Sequence, residues 1–229
     1  MKIIAHIRTD FPEKFGIPRQ SGIVEELEGK IVFEPEYRNP EAVRGLEGFN
    51  YIWILWKFEG AEKERWSATV KPPRLGGNQR MGVFATRSPF RPNPIGLSSV
   101  RLESIEFTEH GPVLTVRGAD LKDGTPIYDI KPYLHYADCH PDATDGFARD
   151  VFDDDLEVIF PEELLKEFPE EKREVIVKVL QQDPRPSYQN DPERKYGMAF
   201  DGKDIRFTVD KDRLTVFEVV PYKEMRKKE

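Results

Sequence analysis

Short runs of alternating apolar and polar residues, or of consecutive β-branched and aromatic residues, dominate the first two thirds of the chain. Gly- and Pro-rich segments separate them, an arrangement typical of short β-strands joined by turns. The runs lie at residues 3–7, 31–33, 51–58, 82–85, 100–107 and 113–118. The last two flank Gly111 and Pro112, so we expect them to pair as a hairpin. The pattern predicts a small barrel or sandwich with few helices, one of them short and starting at Asn39.

The pattern changes after residue 160. Pro161 and Pro169 are each followed by acidic residues, which favours two helix starts, and apolar residues then recur at helical spacing. We predict helices at residues 162–168 and 170–182, followed by a second hairpin from residues 205–209 and 214–220. The expected fold class is mainly β. Its parts are a small β-barrel domain at residues 1–147, an acidic connector at residues 148–160 and a smaller α+β domain at residues 161–229.

The composition excludes several classes of protein. The chain has 229 residues, of which 38% are hydrophobic and 11% aromatic, enough to bury a core without disulfides and too apolar for a disordered chain. The longest apolar run, residues 51–56, is too short for a membrane-spanning helix. No apolar leader follows Met1, and the single Cys139 agrees with a reducing compartment. We therefore expect a cytoplasmic protein.

Charge is distributed unevenly along the chain. The net charge is −7, but residues 65–102 contain seven basic and no acidic side chains. The rest of the chain carries 28 basic and 42 acidic residues. A basic stretch of this kind offers a landing surface to a polyanion such as nucleic acid. The alternative interpretation is that these cations pair with acids elsewhere in the fold, and charge alone does not decide between the two.

Motifs for several common chemistries are missing. The chain lacks GxGxxG, a Walker lysine loop, HExxH and paired CxxC, so dinucleotide, nucleoside triphosphate and zinc sites have no support. His135, Cys139 and His140 lie close together in the sequence, but such a set rarely binds a metal without a fourth ligand. We interpret them as solvent-facing polar residues and expect no metal. No nucleophile with a matching base is evident, and we assign no catalytic side chain.

Three parts of the chain combine Gly and Pro with hydrogen-bonding side chains. Residues 15–22 read FGIPRQSG, residues 72–78 and 82–97 read PPRLGGN and GVFATRSPFRPNPIGL, and residues 120–133 read DLKDGTPIYDIKPY. A stiff loop that presents arginines loses little entropy when it binds a ligand. A connection that needed only solubility would not require this composition, so we interpret the arginine-proline stretch as functional.

The chain contains PRQ at residues 18–20, PPRLGGN at residues 72–78, GVFATRSPFRPNPIGLS at residues 82–98, DGTPIYDIKPY at residues 123–133 and DPRPSY at residues 183–188. In these motifs it resembles the tRNA methyltransferase O family, also described as TsaA-like or YaeB-like. The resemblance implies a β-barrel that binds S-adenosylmethionine (SAM) without a Rossmann sheet, and a homodimer. It also implies N6-methylation of threonylcarbamoyladenosine at position 37, in the anticodon loop of a threonine tRNA. Methyl transfer from a sulfonium needs mainly positioning and exclusion of water, which agrees with the lack of a catalytic constellation.

The resemblance also assigns residues to the two ligands. Those expected to bind SAM are Pro18, Arg19, Gln20, Glu59, Gly60, Arg87, Leu97, Asp120, Leu121, Lys122 and Asp123. Members of the family often carry a histidine where this chain has Glu59, so Glu59 either faces the donor or is a solvated strand end. Those expected to contact tRNA, or to shape its pocket, are Arg74, Arg91 and Asn93. Arg185 and Tyr188 are candidates for the anticodon loop, with a rigid turn as the alternative.

Other functions remain open at this point. The same barrel could methylate a small molecule, which the basic stretch disfavours, or could bind RNA without catalysis and without the donor. An interaction module that uses the acidic region is a third possibility. For the methyltransferase, we expect residues 161–229 to support tRNA modification and to be dispensable for donor binding.

Overall fold

The computed structural model describes residues 1–61, 65–72, 75, 79–151, 155–185, 189 and 191–223. These residues form mostly β-strands, together with a few α-helices and short 3₁₀ turns. The strands are β1 (Ala5–Arg8), β2 (Glu28–Phe33), β3 (Tyr51–Lys57), β4 (Thr69–Val70), β5 (Met81–Gly82), β6 (Ile95–Thr108), β7 (Gly111–Arg117), β8 (Pro126–Pro132), β9 (Glu157–Ile159), β10 (Tyr196–Phe200), β11 (Lys203–Asp210) and β12 (Arg213–Pro221). The α-helices are α1 (His135–Asp138), α2 (Glu162–Leu165) and α3 (Glu170–Gln181).

Six strands close into an antiparallel barrel in the order β1, β2, β7, β6, β3, β8. Their side chains alternate between the two faces: on β3, Ile52, Ile54 and Trp56 are buried, whereas Trp53 and Leu55 are only half-buried. This is the period of two that the hydrophobic pattern predicts. The mainly β fold with a barrel is therefore confirmed.

A second sheet follows in the order β10, β11, β12, β9, with β9 parallel to β12. Helix α3 packs against this sheet through a stripe of buried residues at helical spacing, namely Val175, Ile176, Val179 and Leu180. The stripe faces Phe200, Phe207 and other apolar residues of the sheet in one core. Both predicted hairpins and the long helix are therefore present.

The two units share this second core. After β1 the chain leaves the barrel, and residues 11–27 run over the second sheet before β2 begins. Phe11, Val24 and Leu27 are buried there, and the Phe11 ring meets the Phe200 ring edge-on with centroids 5.2 Å apart. Burial of this much apolar surface joins the barrel to the second sheet without a disulfide.

At two places the structure has a 3₁₀ turn where a strand or a helix was predicted. Residues 83–85 form a 3₁₀ turn rather than a strand, because the Thr86 hydroxyl donates to the Val83 carbonyl and closes the turn. The short element after Asn39 is a 3₁₀ turn, Pro40–Val43, capped by the Asn39 side chain on the Glu41 N–H. Strand β9 lies within residues 148–160, the expected connector. The division of the chain at residues 147 and 161 stays a prediction.

The shared core leads to a test of stability. Phe11→Ala removes a buried ring at the junction of the two units, so we expect a loss of about 3–5 kcal/mol in the free energy of unfolding. Phe107→Ala is the matched control, because the Phe107 side chain is 64% exposed and its removal should cost less than about 0.5 kcal/mol. Urea denaturation followed by circular dichroism measures both. Equal effects of the two substitutions would contradict the shared core.

Candidate functional site

Backbone hydrogen bonds bring two of the predicted motifs together. The Gly22 N–H donates to the Gly118 carbonyl at 2.9 Å, and the Gly118 N–H donates to the Leu27 carbonyl at 2.8 Å. Gly118 ends β7 with φ +75°, and an added Cβ would lie 3.2 Å from the Gly22 backbone, so a side chain there would be strained and crowded. This contact places Gln20 and Ser21 next to the turn that carries Asp120.

The arginine-proline stretch supplies a third side of the same site. The Arg87 guanidinium donates to the Gln20 side-chain oxygen. The loop that presents Arg87 is fixed by its own hydrogen bonds: the Ser88 N–H donates to Thr86 Oγ1 at 3.2 Å, and the Arg91 guanidinium donates to the Thr86 carbonyl at 3.0 Å. Arg91 therefore shapes the loop that holds Arg87.

A buried chain of hydrogen bonds supports Asp120 from within the barrel. The Trp56 indole N–H donates to Ser98 Oγ at 3.0 Å, and the Ser98 hydroxyl donates to Asp120 Oδ1 at 2.6 Å. Ser98 lies on the inward face of β6 and is only 1% exposed. Gly96 is opposite Trp56 in the register of β3 and β6, and any Cβ there would overlap the indole ring. The small residue at 96 thus lets Trp56 lie across β6 and reach Ser98.

The electrostatics of Asp120 are unusual for a surface turn. Burial raises the pKa of the Asp120 carboxyl above its ordinary value, because removal from water disfavours the charged form. The Ser98 hydroxyl, backbone hydrogen bonds at Asp120 and Ser21, and the positive charge of Arg87 partly oppose that rise in pKa. The site therefore presents a partly compensated carboxylate beside an exposed guanidinium, an arrangement that suits a ligand carrying charges of both signs.

The other residues of the Asp120 turn contact strand β1 instead. Leu121 is 1% exposed in the barrel core, and its carbonyl accepts from the Thr9 hydroxyl at 3.0 Å. The Lys122 carbonyl closes a turn by accepting from the Thr125 N–H and hydroxyl at 3.1 and 2.7 Å. Asp123 Oδ1 accepts from the Thr9 N–H at 3.1 Å. Asp120 is the residue of this turn whose carboxylate accepts from Ser98 and is influenced by the positive charge of Arg87.

Pro18 and Arg19 lie on the side of the site that faces the second sheet. Pro18 is buried, and the Arg19 guanidinium donates to the Asp183 carbonyl at 3.3 Å. Both residues line a cavity of about 150 Å³ between residues 14–19 and residues 182–184. The first motif thus touches the DPRP segment as well as Arg87.

Glu59 and Gly60 lie just after β3, and Glu59 contacts the segment that carries Gln20 through Lys14. Glu59 is exposed, and its carbonyl oxygen accepts from the Lys14 ammonium group. Gly60 has φ +68°, which turns the chain away from the barrel. Within the described residues, no hydrogen bond or ion pair joins the Glu59 side chain to Arg87 or Asp120. Leu97 is 54% exposed on the outer face of β6, because it alternates with the inward Ser98.

The residues predicted to contact tRNA have different surroundings. Asn93 is exposed, whereas Arg185 is 9% exposed and donates two hydrogen bonds to Asp183, at 2.9 and 2.8 Å. Arg185 also reaches the Lys211 carbonyl at 3.4 Å, so its guanidinium braces two turns of the second unit. This geometry agrees with the rigid-turn alternative. Arg74 and Tyr188 lie outside the described residues.

Several polar contributors to the site were missed at the level of sequence. Ser21 and Ser98 lie within predicted motifs but were not assigned as site residues, and Trp56 lies outside the motifs, on strand β3. Ser98 could have been identified from the sequence as a hydroxyl at an inward-facing position of a strand, because a buried hydroxyl needs a hydrogen-bond partner.

Near α1, Asp138 Oδ2 accepts from the Trp53 indole and the Leu134 N–H at 2.9 and 2.8 Å. Among the described residues, no three His, Cys, Asp or Glu side chains are grouped to bind a metal.

These features define a class: a small β-barrel joined through a shared core to an α+β unit, with a polar site where three loop segments meet. The tRNA-methyltransferase O N-terminal domain model matches residues 6–139, and the TrmO C-terminal domain model matches residues 153–222. The chain belongs to the tRNA-methyltransferase O family.

No helix within the described part of the chain is both long and apolar enough to span a membrane.

Individual relatives are similar over most of their length. The tRNA (adenine(37)-N6)-methyltransferase of Escherichia coli is 42% identical over 226 residues, covering 95% of this chain and 96% of that protein. The enzyme of the same name from Eikenella corrodens is 50% identical over 164 residues, 71% of this chain and 92% of that protein. The crystal structure of TrmO from Pseudomonas aeruginosa superimposes with a TM-score of 0.77 at 35% identity, covering 96% of this chain and 95% of that one.

The raised pKa of Asp120 leads to a test of pH-dependent stability. The folded-state pKa lies above the unfolded-state pKa, so the ionised carboxylate destabilises the folded protein at neutral pH, and this destabilisation disappears as the pH falls to about 4. We expect Asp120→Asn to melt at a higher temperature than the wild type at pH 7. The difference should shrink towards pH 4. Differential scanning calorimetry across this range measures it, and a difference that grows on acidification would refute the assignment.

Proposed function

We propose that this protein transfers a methyl group from SAM to N6 of adenosine 37 in a tRNA anticodon loop, with threonylcarbamoyladenosine of a threonine tRNA as the substrate. The observation that carries the proposal is the meeting of Gln20, Arg87, Ser98 and Asp120 in a barrel of the tRNA-methyltransferase O family. The names of the relatives from E. coli and E. corrodens support the same reaction.

The residues of the site fit the charges of the proposed donor. SAM carries a positive sulfur and a positive amino group together with a negative carboxylate. The partly buried carboxylate of Asp120 offers an acceptor for positive charge, and Arg87 offers a guanidinium to a carboxylate. One similar protein from P. aeruginosa is named a putative SAM-dependent methyltransferase, and one from Pyrococcus abyssi a probable SAM-binding protein. We assign Gln20, Arg87 and Asp120 to donor binding on this ground.

Mechanistically, these side chains act by orientation. When bound, SAM supplies an electrophilic methyl group, so the chain needs no strong base or nucleophile of its own. Trp56 holds Ser98, and Ser98 holds Asp120, so the direction of the carboxylate is fixed before the ligand arrives. Preformed polar groups of this kind lose little energy to reorganisation during the reaction. Arg87 and Gln20 orient each other in the same way.

The surface near Arg87 suits an RNA loop. Arg65, Lys71, Arg80, Arg87 and Arg101 are exposed, and all come from the acid-free residues 65–102. Positive charge attracts the phosphate backbone, and a base in a single-stranded loop can turn out of its stack into a site. Asn93 is an exposed hydrogen-bonding candidate on the same stretch. The tRNA contacts of Arg74 and Tyr188 stay predictions.

We also propose that the protein is a cytoplasmic homodimer. Trp66, Phe84, Phe90 and Leu97 are 54%, 71%, 44% and 54% exposed, and all lie within the acid-free residues 65–102. The Trp66 and Phe84 rings stack with centroids 6.0 Å apart, and exposed apolar side chains that lie together are typical of an interface between protein chains. Sedimentation velocity tests the proposal, with a dimer expected for the wild type and a monomer for Phe84→Asp. A wild-type monomer at micromolar concentration would overturn the dimer.

The central experiment combines donor binding with analysis of the product. Isothermal titration calorimetry should show saturable binding of SAM, and incubation with an unmodified and a threonylcarbamoylated threonine tRNA should yield a nucleoside one methyl group heavier at position 37 of the latter. Liquid chromatography with mass spectrometry identifies that nucleoside. RNA binding without donor binding would instead support a non-catalytic barrel. Donor binding without tRNA binding or methylation would support a small-molecule methyltransferase.

Arg87 provides the sharpest test of the donor site. Arg87→Ala should weaken SAM binding about tenfold or more, because it removes a charged partner from Gln20 and Asp120. Arg101→Ala is the matched control: Arg101 is exposed on the same stretch, and its guanidinium lies 3.6 Å from Glu103 instead. Calorimetry with both variants measures the contrast. Equally small effects of the two substitutions would refute the assigned site.

A further inference from the structure

The segment that carries Gln20 packs against the second unit. Gln20 and Ser21 face Arg87 and Asp120, but the apolar side chains before and after them pack into the core beneath α3. Those side chains are Phe15, Ile17, Ile23, Val24 and Leu27. The position of the proposed donor-binding residues is therefore set by a core that is formed largely by residues 156–216.

The tightest of these contacts joins Gly16 to Met198. Met198 lies on β10 and is fully buried. Gly16 has φ +90°, and a methyl group added there would overlap the Met198 sulfur. The neighbouring Phe15 ring lies parallel to the Tyr196 ring of the same strand, with centroids 6.5 Å apart. Gly16, four residues before Gln20, is thus packed directly against the Met198 side chain of β10.

Polar contacts fix the same segment at three further points. Lys178 of α3 pairs with Glu26, and Lys172 of α3 pairs with Asp10. The Arg19 guanidinium donates to the Asp183 carbonyl at 3.3 Å. These contacts lie at both ends of the segment and next to Gln20. The segment cannot shift against the second unit without losing several of them.

We propose that Met198 is a positioning residue of the donor site, which through its contact with Gly16 sets where Gln20 and Ser21 meet Arg87 and Asp120. This inference rests on the proposed function and names a structural role in it for the carboxy-terminal unit. It predicts a different outcome from the expectation that residues 161–229 are dispensable for donor binding, which itself stays a prediction. Hydrogen bonds weaken steeply when their geometry changes, so a small displacement of residues 18–21 reduces donor affinity.

The test compares two glycines that have similar positive φ angles, +90° at Gly16 and +85° at Gly45. In Gly16→Ala the added methyl group overlaps the buried Met198 side chain, and we expect the segment to shift in response. That shift should weaken binding of S-adenosylhomocysteine, the demethylated donor, about tenfold or more. Gly45→Ala is the matched control, because Gly45 has φ +85° and no atom within 4 Å of an added Cβ. It should carry the same backbone strain and leave affinity unchanged. Calorimetry gives the affinities, and thermal melts show that each variant is folded.

A compensating substitution at Met198 distinguishes a positioning role from general disruption of the fold. Shortening Met198 in the double variant Gly16→Ala/Met198→Ala makes room for the added methyl group, and affinity should return to within about threefold of the wild type. Folded single and double variants that bind equally weakly would overturn the role of Met198. So would a Gly16→Ala protein that binds as tightly as the wild type. If the wild type itself binds no donor, the proposed function fails first, and this inference fails with it.

A measurement on the wild type covers the case in which Gly16→Ala does not fold. Hydrogen–deuterium exchange is followed with and without saturating S-adenosylhomocysteine. Donor binding should slow amide exchange in residues 15–27 and also in β10, because the two are packed together. Protection of residues 15–27 with no change in β10 would overturn the coupling.

Discussion

The burial of residues 11–27 against the second sheet is the constraint on which the rest of the structure depends. Phe11, Val24 and Leu27 have no place inside the barrel, because its interior is already filled by the inward residues of its six strands. Their burial requires α3 and β10, so the chain leaves the barrel after β1 and returns as β2. The exposed loop on top of this segment then reaches Arg87 and Asp120. Fold and site thus share one set of apolar contacts.

A second constraint acts at Asp120, where the proposed binding of the donor and the stability of the fold oppose each other. A carboxylate removed from water destabilises the folded chain unless hydrogen bonds and opposite charge compensate for the lost hydration. Ser98 and Arg87 compensate for it in part, and the pKa remains raised. A positively charged ligand would supply the missing compensation. Groups with perturbed pKa values are found preferentially at functional sites, which agrees with the proposed role of Asp120.

Predictions from sequence succeeded where local chemistry decides the outcome. The hairpin predicted around Gly111 and Pro112 is present, with its turn at residues 109–110 between β6 and β7, and Pro169 with the acids after it marks α3. Gln20, Arg87 and Asp120 were named from motifs, and the structure brings them together. Prediction was less complete for residues whose contacts depend on burial in the folded chain. Asp123 and Arg185 are charged residues of recognisable motifs, yet one is bound to Thr9 and the other to Asp183.

The sequence by itself determined the fold class, the helices and hairpins, and the family motifs, because turn chemistry and periodicity act over a few residues. Only the tertiary structure decided that Ser98 links Trp56 to Asp120 and that Gly16 rests on Met198. Those pairs are separated by tens to more than a hundred residues in the chain. Their contact depends on barrel closure and on a shared core. Contacts between residues so far apart in the chain are not visible in the local hydrophobic pattern of either segment.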